Sequence, residues 1–255
     1  MHKDTRPVDA AATTVSTPEM WAANFAKSTR MNWRKTFRLR RSKEWSLIRT
    51  YLPPGATVLD AGCGFGEWVT FLRGEGMASE GIDYSSELIR RLESTYPESR
   101  WTCSEIQSMP YADDTFDGVI SWGVVEHDEA GPSRALREIF RVLKPGGMAV
   151  ITVPIDSPTQ RRSAELLYRP TGASQVFFQY FMTAAELAGV LQFEGFEILE
   201  TGTLPIAVLQ LVSPSLSARL QGLAFRLANV VATSLFSRLE RYRVMTYCVG
   251  RKPVA

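Results

Sequence analysis

The chain has 255 residues and a formal net charge of +2, too small for bulk electrostatic binding to nucleic acid or a membrane. With 45% hydrophobic and 22% charged residues it has an ordinary globular composition and enough apolar side chain for one large core. Cys63, Cys103 and Cys248 are odd in number and scattered, which argues against a disulfide framework. With only His2 and His127 as nitrogen ligands, no metal site is expected.

In chain order, residues 1–18 carry little apolar periodicity and are expected to be disordered. They contain no apolar core of signal-peptide length, and no stretch of the chain supplies the ~20 apolar residues of a membrane span, so a cytoplasmic protein is expected. Residues 19–53 read as a helical cap, with Trp45, Ile48 and Leu52 at helical spacing and Pro53-Pro54-Gly55 as the stop. Between Met20 and Lys43 there are bases and no acids; the run RKTFRLRRSK suits a solvated helix face or an anionic partner.

From residue 54 the pattern alternates. Strands are predicted at Ala56–Asp60, Ala78–Asp83, Trp101–Cys103, Asp117–Trp122 and Met148–Val153, the last after a turn at Lys144-Pro145-Gly146-Gly147. Helices are predicted at Glu67–Gly74, at Ser85–Tyr96 behind a serine cap, and at Pro132–Leu143. Thr183 is read as the cap of a helix over 184–193, followed by strands at Gly195–Glu200 and Val244–Arg251. Strand and helix in this alternation give a doubly wound, Rossmann-like α/β fold with a mostly parallel sheet covered on both faces.

The informative segment is Val58–Trp68, VLDAGCGFGEW, in which a strand ends at Asp60 and Gly62, Gly64 and Gly66 follow at alternate positions. Glycines without a Cβ permit a tight turn and let a ligand lie against the backbone, at the carboxyl edge of the sheet. The dinucleotide fingerprint GxGxxG does not fit, because Glu67 stands where its last glycine belongs. Two carboxylates, Asp60 and Glu67, are expected to oppose a pyrophosphate and to favour a ligand with positive charge. S-adenosylmethionine, with an ammonium, a sulfonium and no phosphate, is such a ligand. Asp83, 83 − 60 = 23 positions after Asp60, stands where an acid accepts ribose hydroxyls.

These stretches together resemble the class I S-adenosylmethionine-dependent methyltransferases, and within them the small-molecule branch that includes the ubiquinone and menaquinone biosynthesis enzymes. VLDAGCGFG is similar to the first motif of that family and GIDYS (81–85) to the second. SEIQSMPYADDTFDGVIS (104–121), SWGVVEH (121–127) and EIFRVLKPGGMAVITVP (138–154) complete the likeness. The resemblance implies a seven-stranded sheet whose last strand is antiparallel, and S-adenosylmethionine as cofactor. It implies that Gly62 and Gly64 pass under the methionine portion and that Asp60 orders the loop and reaches the ammonium group through water. Asp83 would hold the ribose, while Glu105 would accept the adenine amino group and the Ile106 amide would donate to the ring. Here Ser104-Glu105 replaces the family's Gly-Asp pair. Ser121 and Trp122 would border the methionine carboxylate and the methyl group; Trp122 also suits a plain large residue at a strand end.

His127 follows the fourth predicted strand at this edge and titrates near neutrality, which suits the general base that a hydroxyl acceptor needs. Two other roles are open to it: the Glu126-His127 pair can shape the loop by hydrogen bonding, or His127 can cap the helix from Pro132. Residues 155–182 interrupt the alternation with Tyr168, Phe177, Phe178, Tyr180 and Phe181, a core cluster or an acceptor wall. An insert at 205–241 repeats Leu216, Leu220, Leu223, Leu227 and Val231 at helical steps and carries Arg219, Arg226 and Arg238 without acids up to Leu239. It suits a cap, a homodimer surface, or at most a peripheral membrane contact. The reading is therefore O-, C- or N-methylation of a small-molecule acceptor, hydrophobic or lipid-linked among the options, with no nucleic-acid partner. A nucleic-acid methyltransferase and a non-catalytic S-adenosylmethionine-binding module are the alternatives.

Overall fold

The computed structural model describes residues 31–158, 160–161, 179–205 and 243–254. Helices α1 (Trp33–Arg40) and α2 (Lys43–Tyr51) lead in, with the Ser42 hydroxyl accepting from the Trp45 N–H to start α2. Helix α2 buries Trp45, Leu47 and Ile48, and the Trp45 ring stands edge-on to Phe71 at 5.1 Å.

Then come β1 (Thr57–Ala61), α3 (Glu67–Gly74), β2 (Ala78–Asp83), α4 (Ser86–Thr95), β3 (Arg100–Cys103) and β4 (Phe116–Trp122). Helix α5 (Ser133–Val142), β5 (Leu143–Pro154), α6 (Ala184–Phe193), β6 (Glu197–Pro205) and β7 (Arg243–Arg251) complete the order. One seven-stranded sheet runs β3-β2-β1-β4-β5-β7-β6. Its first four neighbouring pairs are parallel, and β7 lies antiparallel between β5 and β6. This is the expected doubly wound sheet with its antiparallel last strand.

Neighbouring residues of each central strand point to opposite faces. Val58, Ile120, Val150 and Val249 face one apolar layer with Ile48, Phe71 and Leu72. Leu59, Val119, Ile151 and Cys248 face the other, with Leu136 and Ile139 of α5 and Leu187 and Leu191 of α6. Both faces are thus covered, which is why these strands read as near-continuous apolar runs.

Two boundaries differ from expectation, and the basic run is used differently. Lys144–Gly147 is not a turn before β5 but a bulge inside it: Phe116 pairs with Leu143, while Gly118 pairs with Met148. Gly146 takes φ +82° there. Lys252 clamps the bulge, accepting from the Gly146 N–H at 2.8 Å and donating its own N–H to Gly147 at 2.9 Å. Strand β6 runs on to Pro205 because Thr201–Leu204 continue to pair with β7. The basic run near the N-terminus is largely consumed within the fold: Lys35 and Arg38 pair with Glu67 at 2.5 and 2.9 Å, Arg40 with Glu75 at 2.6 Å and Lys43 with Glu200 at 3.0 Å.

The expected disorder of 1–18, the aromatics Tyr168, Phe177 and Phe178, and the leucine repeat of the 205–241 insert lie outside the described residues. Among the described residues no helix is long and apolar enough to cross a membrane.

Candidate active site

The site grows from the loop after β1. The N–H groups of Gly62 and Cys63 both donate to the Ile82 carbonyl, at 2.9 and 2.8 Å, which folds the loop tightly against β2. Gly62 and Gly64 take φ +86° and +48°, the left-handed region that glycine enters without strain. At Gly62 the requirement is also steric, since the Val124 side chain occupies the space of a Cβ. Asp83 closes the loop from the end of β2: its Oδ2 accepts from the Gly64 N–H at 3.1 Å and its Oδ1 from the Ser85 N–H at 2.9 Å.

A cavity of about 580 Å³ opens at the carboxyl edge of the parallel strands, a size suited to a cofactor and a small ligand. Gly62, Gly64, Asp83, Glu105 and Ile106 line it. Trp122, Val124, His127, Asp128, Glu129 and Arg134 line it as well. Gln107, also in the wall, donates its amide to Asp128 Oδ2 at 3.3 Å. Trp122 packs on Trp68 with ring centroids 5.2 Å apart, and its Nε1–H is buried without a hydrogen-bond partner.

Burial dominates the electrostatics. Asp60 is 2% exposed; burial first, and then the neighbouring Asp83 charge, push its carboxyl up to about 8, and its Oδ1 has no hydrogen-bond partner. Asp83 is raised by burial too, against the opposing effect of the Ser85, Gly64 and Tyr84 backbone hydrogen bonds. The expectation of two fixed anions beside the ligand is corrected on both counts. Glu67 is neutralised by Lys35 and Arg38, and Asp60 favours its protonated form at neutral pH unless a cation lies close. An orphaned, buried carboxyl beside a glycine loop is what a ligand with a positive group would satisfy, so the residues fit S-adenosylmethionine.

The structure brings Gly62, Gly64, Asp83, Glu105, Ile106, Trp122 and His127 around one cavity. Asp60 and Ser121 are not on its walls. Ser121 is fully buried, its hydroxyl donating to the Ala61 carbonyl at 3.0 Å, so it ties β4 to β1 rather than bordering the methionine carboxylate. Glu126, read from the sequence as half of a pair with His127 that shapes the loop, is 1% exposed and pushed up to about 8 by burial. In the polar stretch Glu126–Glu129 nothing marks one carboxylate as buried.

A sheet in this order, with a glycine loop after β1 and an acid ending β2, defines a Rossmann-like nucleoside-binding domain. Residues 33–201 match the family model described as a methyltransferase domain. The 2-phytyl-1,4-naphtoquinone methyltransferase of Thermosynechococcus vestitus is 35% identical over 107 residues, 39% of this chain and 47% of that protein. The human protein named tRNA methyltransferase 9B is 32% identical over 117 residues, 44% of this chain and 25% of that protein. The chain thus spans between a quarter and about half the length of these relatives. The structure of the Burkholderia thailandensis 1,6-didemethyltoxoflavin-N1-methyltransferase, with its substrate and S-adenosylhomocysteine bound, shares the fold. It superposes with a TM-score of 0.56 at 18% identity, covering 96% of this chain and 94% of that one. The chain belongs to this family of methyltransferase domains, the class I S-adenosylmethionine-dependent enzymes.

Proposed function

We propose that the protein transfers the methyl group of S-adenosylmethionine to a small-molecule acceptor. Asp83 holds the ribose, Gly62 and Gly64 pass under the methionine portion, and Glu105 with the Ile106 amide meets the adenine. Asp60 reaches the ammonium group through water. The cofactor supplies the electrophilic methyl group; the chain's own part is alignment, exclusion of water, and custody of a proton. Where the acceptor is a hydroxyl, His127 takes that proton.

The observation that carries a small acceptor is the charge on the stretch of cavity wall that follows β4. Asp128 and Glu129 stand there against a single Arg134, whose guanidinium lies 4.0 Å from Asp128. That wall repels a polyanion. The basic run offers a nucleic acid little in compensation, because Lys35, Arg38, Arg40 and Lys43 are paired with the protein's own acids. The likeness to a protein named for tRNA methylation is the support for the competing reading.

The test is incubation with methyl-labelled S-adenosylmethionine and a lysate separated into small-molecule, tRNA and protein fractions. Label in the small-molecule fraction is expected. Label in tRNA overturns the proposal, and no label anywhere, with cofactor binding intact, makes the protein a binding module.

A further inference from the structure

Glu126 and His127 are consecutive residues of the 3-10 turn Val125–His127 that follows β4, yet they face different surroundings. His127 lines the cavity, while Glu126 is almost wholly buried. Glu126 Oε1 lies 3.9 Å from His127 Nε2, and Glu126 Oε2 is buried with no hydrogen-bond partner. A buried carboxyl left half-satisfied is costly, and such groups call for a reason.

The loop that carries this carboxyl is also held from outside the turn. Tyr180 already braces it, donating its N–H to the Glu126 carbonyl at 3.0 Å and its hydroxyl to the Glu129 carbonyl at 2.7 Å. The room behind the turn is provided by Gly123, where a Cβ would come within 3.3 Å of Glu126 Oε1.

Building on the proposed methyl transfer, we infer that Glu126 is a positioning residue for His127, holding the imidazole with Nε2–H turned to the carboxylate and stabilising the imidazolium formed during turnover. The acceptor's proton passes to Nδ1 and the bonding pair stays on the acceptor atom as it becomes the nucleophile. The positive charge gained by the ring is offset by the carboxylate, and the proton leaves to water after product release.

Burial raises Glu126 to about 8, so at neutral pH the pair tends to hold one proton more than the base-competent form. That form gains population as pH rises, and the two groups titrate as a pair. Other charged or titratable groups near the pair are Asp128 and Glu129 on the same loop, Arg134 on α5 and Tyr180 before α6. Asp83, Tyr84 and Glu105 share the cavity. From β7, the Tyr247 hydroxyl is committed to Glu200 at 2.6 Å.

Histidine-selective isotope labelling and NMR titration test this without knowledge of the acceptor, because the chain contains two histidines, His2 and His127. In the wild type, the nitrogen shifts of His127 should place the proton of the neutral ring on Nε2. Glu126→Gln should lower the His127 titration by about one unit or more, the usual effect of losing a carboxylate at this range, and Glu126→Asp should restore part of it. S-adenosylhomocysteine affinity should stay unchanged in both variants. A wild-type proton on Nδ1, or a Glu126→Gln titration equal to wild type, overturns the inference. The tautomer measurement needs no variant and stands even if Glu126→Gln does not fold. An intact pair in a protein that labels no small molecule would sink the proposed function and leave this geometry in place.

Discussion

Asp83 accepts a hydrogen bond from the backbone N–H of Gly64, so the acid at the end of β2 and the glycine loop after β1 are one unit. Losing the carboxylate removes this tie and the partner proposed for the ribose. Asp83→Ala should weaken S-adenosylhomocysteine binding by about 1.5–3 kcal/mol, roughly 10–150-fold, as for hydrogen bonds to a charged group. Calorimetry reads this directly, and unchanged affinity removes Asp83 from the ribose site.

Gly62 is constrained twice, by φ +86° and by the Val124 side chain in the place of its Cβ. Gly62→Ala should destabilise the protein by about 2–4 kcal/mol, combining the left-handed penalty with overpacking. Adding Val124→Ala should recover the packing part and leave the backbone part. Thermal denaturation of the single and double variants separates the two; equal stability of single variant and wild type refutes both.

Asp60 sets a pH dependence with a definite sign. Its carboxyl titrates at about 8 in the fold against about 3.9 in an unfolded chain. Between those values the unfolded chain has released a proton that the folded chain keeps, so this group's contribution to stability falls as pH rises from about 4 to about 8. Asp60→Asn should flatten the loss of stability between about pH 4 and pH 8, measured by urea denaturation. Binding of cationic S-adenosylmethionine should draw a proton off Asp60 near pH 7, visible as a buffer-dependent binding enthalpy in the wild type and absent in the variant.

Glu67 is held by Lys35 and Arg38 across part-exposed surface, so Glu67→Gln should cost less than about 1 kcal/mol and leave cofactor affinity intact. With its bases so engaged, the protein should bind tRNA no better than non-specifically, with a dissociation constant of about 10⁻⁴–10⁻⁶ M at physiological salt. Tighter, saturable binding in a filter assay would revive the nucleic-acid reading.

The sheet was legible because its signals are local. The apolar runs ATVLD and DGVISW, the Ser85 and Thr183 caps and the alternate glycines each announce an element within a few residues. Where the sequence misled, a distant partner decided. Lys144–Gly147 looks like a turn until Lys252 clamps it as a bulge, and Glu67 looks like a free anion until α1 folds over it. Ser121 reads as a lining residue, but the Ala61 carbonyl takes its hydroxyl inward. The burial of Glu126 was hidden because burial is a property of packing, and its charged neighbours Asp128 and Glu129 give it the look of a solvated loop.

Strand β6 ends at Pro205 and β7 begins at Arg243, and these two ends pair with each other where β5 runs out at Pro154. The flanks of segment 162–178 meet close by, through the bridge between Ile155 and Met182. The described flanks of both lengths of chain therefore meet the sheet at the rim that carries the cavity. Exchanging either segment between relatives would leave every strand with the neighbour it has now. Variation in those two lengths of chain and the pairing of the sheet can then diverge on separate stretches of sequence.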